Sequence, residues 1–183
     1  MLDATFVDKL NTLLPPELVL VDPHHVLVYE CDGSTAFRSL PDVVVLPNKT
    51  EEVSAVVSLC VENDVPFVAR GAGTGLSGGA TPSEGGVVIS LAGMNKFLEV
   101  DLINRSALCQ TGIVNLDISR HVAQYGLHFA PDPSSQSSCT LGGNIAENSG
   151  GPHCLKYGAT TAHILGLTVV LPNGEIIKLG GSA

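Results

Sequence analysis

Five glycines fall within the nine residues 71–79, directly after an apolar run ending in Val68-Ala69. Glycine loses more conformational freedom on folding than any other residue, so clustering of this kind needs a reason. The reason with most physical content is main chain laid against a ligand, with no Cβ to hold it off. A second low-charge stretch rich in glycine and serine occupies residues 131–151. Two such stretches in an otherwise well-patterned chain suggest one elongated ligand clasped from two sides.

Composition narrows the class of protein around these loops. With 44% apolar and 15% charged residues, the 183-residue chain has material for a core and is not a disordered segment. A formal charge of −9 lacks the basic footprint of a nucleic-acid binder. No run approaches the ~18 apolar residues of a membrane span. The first fourteen residues carry Asp3 and Asp8 where an export signal needs a basic start and an apolar middle. Five cysteines without a C-x-x-C pair suggest reduced thiols, and the six histidines show no metal-ligand spacing. The expectation is a soluble cytoplasmic protein without a metal, a membrane span or a nucleic-acid partner.

The local patterns alternate in type. Leu2, Phe6, Leu10, Leu13 and Leu14 form the stripe of an amphipathic helix ended by Pro15-Pro16. Residues 18–21 and 26–29 are short apolar runs of either type. Residues 43–46 read as a buried strand, and Thr50 is expected to cap a helix running to about Asn63. A strand at 66–69 completes a βαβ unit, for which two parallel strands are the natural reading. Further strands are predicted at 86–90, 96–100 and 106–110, and a helix at 116–125 with Gly126 as its stop. A closing hairpin joins strands 167–171 and 175–179 through Asn173-Gly174. Parallel and antiparallel elements together make the fold class α+β.

Several signatures overlap in residues 70–79. Residues 73–78 are a G-x-G-x-x-G, but a Rossmann site needs that loop to open a helix receiving the pyrophosphate. Residues 75–79 are a G-x-S-x-G, and a nucleophile elbow likewise needs a following helix. The continuation Ala80-Thr81-Pro82-Ser83-Glu84-Gly85-Gly86 has no apolar period and several breakers, which disfavours both. A nest of inward-turned amides requires no helix, and Arg70 is the one formal cation beside it. An ordinary glycine-rich surface turn is the bland alternative. In the second stretch, small side chains and two carboxamides (Asn144, Asn148) suit the polar edges of a flat heterocycle.

RGAGTGLSGGA at 70–80 and PDPSSQSSCTLGGNIAENSGGPHCLKYG at 131–158 resemble the FAD-binding domain of the vanillyl-alcohol oxidase/p-cresol methylhydroxylase superfamily. Within it, they are most similar to the branch of glycolate oxidase D-subunits and D-lactate dehydrogenases. The likeness starts near Phe37 and implies residues 1–37 as an N-terminal helical extension and 38–183 as a PCMH-type FAD-binding domain. Such a domain has a small βαβ subdomain and a larger mixed or antiparallel one.

Carried over, Arg70, Gly71, Ala72, Gly73, Thr74, Gly75, Leu76, Ser77, Gly78 and Gly79 would surround the pyrophosphate. Pro131, Asp132, Ser138, Gly142, Gly143, Asn144, Ala146, Asn148 and Gly150 would line the rest of FAD. Some superfamily members tether the flavin through a histidine in the first loop. Thr74 stands in the matching region here, implying non-covalent FAD; Cys139 is a less favoured tether. His153 and Lys156 are weak catalytic candidates that could offer a proton or positive charge to a carboxylate substrate, against a bland role in loop hydrogen bonding.

The family continues past the last hairpin into a further glycine-rich segment and a substrate domain. By that comparison the sequence is expected to be an N-terminal, C-terminally incomplete portion, doubtful for turnover alone. The resemblance implies a flavin-dependent oxidoreductase converting a 2-hydroxy acid, of glycolate or D-lactate type, to its 2-oxo acid. Partner subunits are part of that expectation. A non-catalytic flavin-binding module, or a degenerate subunit needing a partner, is the alternative.

Overall fold

In the computed structural model, which describes residues 2–181, two segments of consecutive valines decide the centre of the molecule. Strands β2 (Val43–Val45) and β4 (Val87–Ser90) are buried throughout and pair in parallel, Val43 opposite Val87. A strand buried on both faces needs apolar side chains at every position, which is how these segments read. Flanking them are β1 (Val19–Leu20), antiparallel to β2, and β3 (Phe67–Arg70), parallel to β4. The sheet order is β1-β2-β4-β3. The predicted βαβ unit is therefore corrected in one respect: its strands are parallel, but β4 lies between them. β4 fits that slot because its two faces are as apolar as those of β2.

Helices α1 (Ala4–Leu13) and α3 (Thr50–Glu62) cover one face of the sheet. Phe6, Leu10, Leu14, Val56, Val57 and Cys60 meet Val43, Val45, Val87 and Ile89 there. Asp3 caps α1 by accepting the Phe6 amide at 2.8 Å. Thr50 does not cap α3; it is the first helical residue, and Lys49 occupies the cap position without a side-chain bond. Glu52 compensates by reaching back to accept the Asn48 amide at 2.8 Å. The second face is covered by the short helix α2 (Pro23–Val26) and the turn after it, through Val26 and Tyr29 against Val44, Val88 and Val68. Residues 1–37, expected as an extension, thus supply two helices and a strand to the same core from residue 2 onward. The boundary at 38–183 ends on two residues outside those described.

The second half is more open. β5 (Phe97–Asp101) and β6 (Ser106–Cys109) form one antiparallel ribbon, and β7 (Gly166–Val170) with β8 (Ile176–Gly180) another. The predicted hairpin holds: Gly174, at φ +85°, closes a turn with its amide on the Leu171 carbonyl at 2.8 Å. Helix α4 (Asn115–Val122) continues as a 3₁₀ turn and stops at Gly126, whose φ is +71°. Residues 131–151 are not loop throughout. They contain α5 (Leu141–Ala146), followed by α6 (Cys154–Tyr157), and two glycines inside α5 hid its helical character from the pattern. The α+β class stands, with parallel and antiparallel parts. Among the described residues no helix is long and apolar enough to cross a membrane.

Candidate functional site

β3 delivers the first glycine stretch at the carboxyl end of a parallel sheet, where open α/β sheets place ligands. Residues 71–86 contain no helix, so the condition that separated the amide nest from the Rossmann and nucleophile-elbow readings is met. Among the described residues, the amides of Ala72, Gly73, Thr74, Gly75, Leu76 and Ser77 donate to no protein acceptor. Gly73 has φ +68°, and a Cβ there would run into the Arg70 guanidinium. Glycine is thus favoured at this position by its conformation, and a larger residue would also have to displace the guanidinium.

Arg70 is buried beneath the loop, with 7% of its surface exposed. Its Nη1 donates to the Ala80 carbonyl at 3.2 Å, and its guanidinium carbon lies 5.5 Å from the centre of the Tyr29 ring. Burial pushes its pKa below the ordinary arginine value, the nearby Cys31, Tyr29 and Asp32 opposing that shift. The side chain braces the loop from below and supplies positive potential through it. Gly78 is already engaged within the protein. Its amide is taken by Asp32 Oδ2 at 2.7 Å, leaving the nest to the residues before it.

Thr140, just before α5, joins the second stretch to the first. A Cβ on Gly71 would collide with the Thr140 hydroxyl and lie 3.8 Å from Gly143 Cα. A Cβ on Gly79 would sit 3.0 Å from Glu147 Oε1. The two stretches are therefore side by side, as one shared ligand requires. A main-chain bridge of Val114 with Thr140 sets this position, helped by Leu141 N–H to Ile113 at 2.9 Å and Gly142 N–H to Thr111 at 2.7 Å.

Much of the second stretch is spent on holding itself. Asn144, 2% exposed, accepts from Asn115 Nδ2 at 2.9 Å, and the same amide nitrogen donates to the Pro131 carbonyl at 3.2 Å. Asn148 accepts the Thr161 amide at 3.0 Å. Cys139 is buried with Sγ against Asn144 Oδ1, so it offers no thiol to a flavin. Ser138, Ala146 and Gly150 are exposed, Gly142 and Gly143 half-buried, and Pro131 buried. Asp132 accepts the His153 amide at 3.2 Å and meets its Nδ1 at 2.5 Å. That contact holds the Asp132 carboxyl below its usual range. Lys156 Nζ lies 4.9 Å from the centre of the Tyr157 ring. Both catalytic candidates are thus exposed and already engaged by neighbours.

The sequence pattern missed Asp32, Thr111, Asn115 and Thr140. Only an N-cap-like Asx signal at Asp32, whose Oδ1 accepts the Ser34 amide at 2.8 Å, was open to detection. An open groove of about 500 Å³ lined by Leu102, Arg105, Tyr125, Gly126 and Leu127 holds none of the glycine-stretch residues. The candidate site is instead the unpaired main chain of residues 72–77 beside the second stretch.

A dinucleotide diphosphate fits this surface. It presents several acceptor oxygens to the unpaired amides of residues 72–77, and one buried cation lies behind the loop. The Thr140 hydroxyl at the seam is buried without a hydrogen-bond partner. These features define a dinucleotide grip, and the match to the FAD binding domain model over residues 41–180 shows that the chain belongs to that family. Thr74 stands in the first loop as the non-covalent reading expects, and FAD is the cofactor of this family.

Among curated relatives, the chain is 47% identical to "Glycolate oxidase subunit GlcD" of Escherichia coli K12, over 97% of this chain and 37% of that protein. It is 39% identical to "D-lactate dehydrogenase" of Anaerostipes hadrus, over 96% of this chain and 37% of that protein. The chain therefore spans a little over a third of the length of these relatives. Among solved structures, alkyldihydroxyacetonephosphate synthase superposes with a TM-score of 0.87 at 26% identity, over 98% of this chain and 34% of that one. p-Cresol methylhydroxylase shares the fold, with a TM-score of 0.80 at 23% identity over 95% of this chain and 34% of that one.

Proposed function

We propose that this chain is the FAD-gripping part of a flavin-dependent oxidoreductase that converts a 2-hydroxy acid, of glycolate or D-lactate type, to the 2-oxo acid. The observation that carries the reading is the row of unpaired amides at residues 72–77 beside a second glycine stretch. The names of the relatives support the substrate class. Bound FAD would supply the acceptor for the hydrogen on the substrate's α carbon. This chain's residues bind and orient: the nest holds the diphosphate, Arg70 lends charge from behind, and residues 131–151 line the remainder.

His153 and Lys156 remain the candidates for drawing in a carboxylate, supported by their exposure just past the second stretch. Residues 38–183 act as the FAD-binding unit with 1–37 as its brace, a division supported by the family match beginning at residue 41. A cytoplasmic location accords with five free cysteines, and partner subunits with the word "subunit" in the relative's name.

The test is an absorbance spectrum after FAD loading and gel filtration, followed by anaerobic addition of glycolate or D-lactate. Retained flavin bands that bleach support the whole reading. Retained bands that do not bleach favour the second reading, a flavin-binding module that needs another polypeptide. That alternative is favoured by the engagement of both catalytic candidates with neighbouring side chains. A colourless protein after loading would refute both.

A further inference from the structure

Asp32 is a buried carboxylate, 7% exposed, that lies in neither glycine stretch. Its two oxygens are divided between two amides: Oδ1 takes Ser34 at 2.8 Å and Oδ2 takes Gly78 at 2.7 Å, across 46 positions of sequence. The turn that carries it is pressed onto the loop. A Cβ at Gly33 would come within 2.8 Å of the Gly75 carbonyl oxygen and 3.0 Å of that of Thr74. Phe37, from the same turn, lies against Gly78.

We propose that Asp32 is a positioning residue that sets the shape of the diphosphate loop before the ligand arrives. This rests on the FAD reading above. The loop is pinned at Arg70 by the end of β3, at Gly78 by Asp32 and at Ala80 by Arg70 Nη1. Between the first two pins lie the residues whose amides are unpaired. Ordering a free backbone residue costs conformational entropy, so a loop left unpinned would take that cost out of its ligand affinity. A carboxylate suits the task because it accepts two amides at once and its bonds are charge-assisted. Its charge is near enough to Arg70 to support the guanidinium's charged form, which offsets part of its repulsion towards a diphosphate.

The experiment compares the wild-type chain with Asp32→Ala and Asp32→Asn, measuring dissociation constants for FAD, ADP and riboflavin. Asp32→Ala is expected to weaken FAD and ADP by a common factor of about 10–100, on the scale of a charge-assisted hydrogen bond, and to leave riboflavin, which has no phosphate, unchanged. Asp32→Asn keeps the shape and one acceptor and is expected to lose less.

Hydrogen exchange on the ligand-free wild-type chain gives an independent reading that needs no variant. The Gly78 amide should be protected, while those of residues 72–77 exchange fast until ADP or FAD is added. A folded Asp32→Ala chain that binds ADP within about twofold of wild type overturns the proposal. So does an equal loss of riboflavin, which would mark a general structural role. Should Asp32→Ala not fold, an unprotected Gly78 amide or undiminished ADP binding by Asp32→Asn overturns it. A wild-type chain that binds neither FAD nor ADP overturns the FAD reading along with it.

Discussion

The two glycine-rich stretches look alike in sequence and differ in how much of their main chain they leave unpaired. In the first, glycine frees main chain: the amides of residues 72–77 have no protein partner, and Gly73 takes a left-handed conformation. In the second, glycine mostly lets pieces of backbone touch. Gly142 lies on Thr111, Gly150 on the Cys154 sulfur and Gly151 on the Asp132 carbonyl, each too close for a Cβ. Here the side chains are consumed by ties within the protein, Asn144 to Asn115 and Asn148 to Thr161. Glycine content alone therefore does not distinguish a surface that waits for a ligand from a joint between segments. The number of unpaired amides does.

The contrast can be broken by substitution. Asn115→Ala removes the donor shared by Asn144 and Pro131 in a buried setting and should cost about 2–4 kcal/mol in urea unfolding. A loss below about 0.5 kcal/mol would mean that the second stretch is not held by this tie. Gly73→Ala places a Cβ against Arg70 at positive φ, with strain of roughly 1–2 kcal/mol. It should therefore weaken FAD binding about tenfold or more in a titration, with a smaller change in melting temperature. The reverse pattern would make the first loop a structural joint like the second.

Thr140→Val sharpens the comparison at the seam. A buried hydroxyl without a partner is a liability in the ligand-free fold, so its loss should be neutral or stabilising by up to about 1 kcal/mol. A marked loss of FAD affinity in the same variant would show that the ligand recruits this hydroxyl.

The Asp132–His153 contact gives the smallest effect, and its sign follows from the depressed Asp132 carboxyl. The stabilisation is present above the ordinary carboxylate value of 3.8 and is lost as pH falls through the lower folded-state value. Asp132→Asn should therefore be slightly less stable than wild type above that window, converge with it below, and show a flatter pH dependence across it. A stability loss in Asp132→Asn that persists undiminished below that window would remove the contact from the account.

Thiol reactivity checks the core around the sheet. Burial pushes the Cys60 thiol up to about 12 and the Cys109 thiol up to about 11, so both should alkylate more slowly at pH 8 than the half-buried Cys31 and Cys154, with buried Cys60 the slower of the two.

Much of the architecture was legible because it rests on local pattern. Val43-Val44-Val45 and Val87-Val88-Ile89 declare strands buried on both faces, and the stripe on α1 declares the face that packs on them. The glycine-rich loop without a following helix could be read as a nest for the same reason. α5 was not legible because Gly142 and Gly143 remove its local signal; main-chain bonds to Thr111 and Ile113 hold its start instead. The order of the parallel strands was also hidden, since β2, β3 and β4 are all apolar enough for a central position.

By itself the amino-acid order determined what depends on neighbours along the chain: the apolar periods, the helix stops at Pro15-Pro16 and Gly126, and the bare backbone at residues 71–79. Folding in three dimensions decided what depends on residues far apart. It brought Asp32 to the Gly78 amide, set Thr140 against Gly71 and turned Arg70 inward under its own loop. No spacing encodes those meetings, because a hydrogen bond across 46 positions is set by how the sheet and the turn above it pack together.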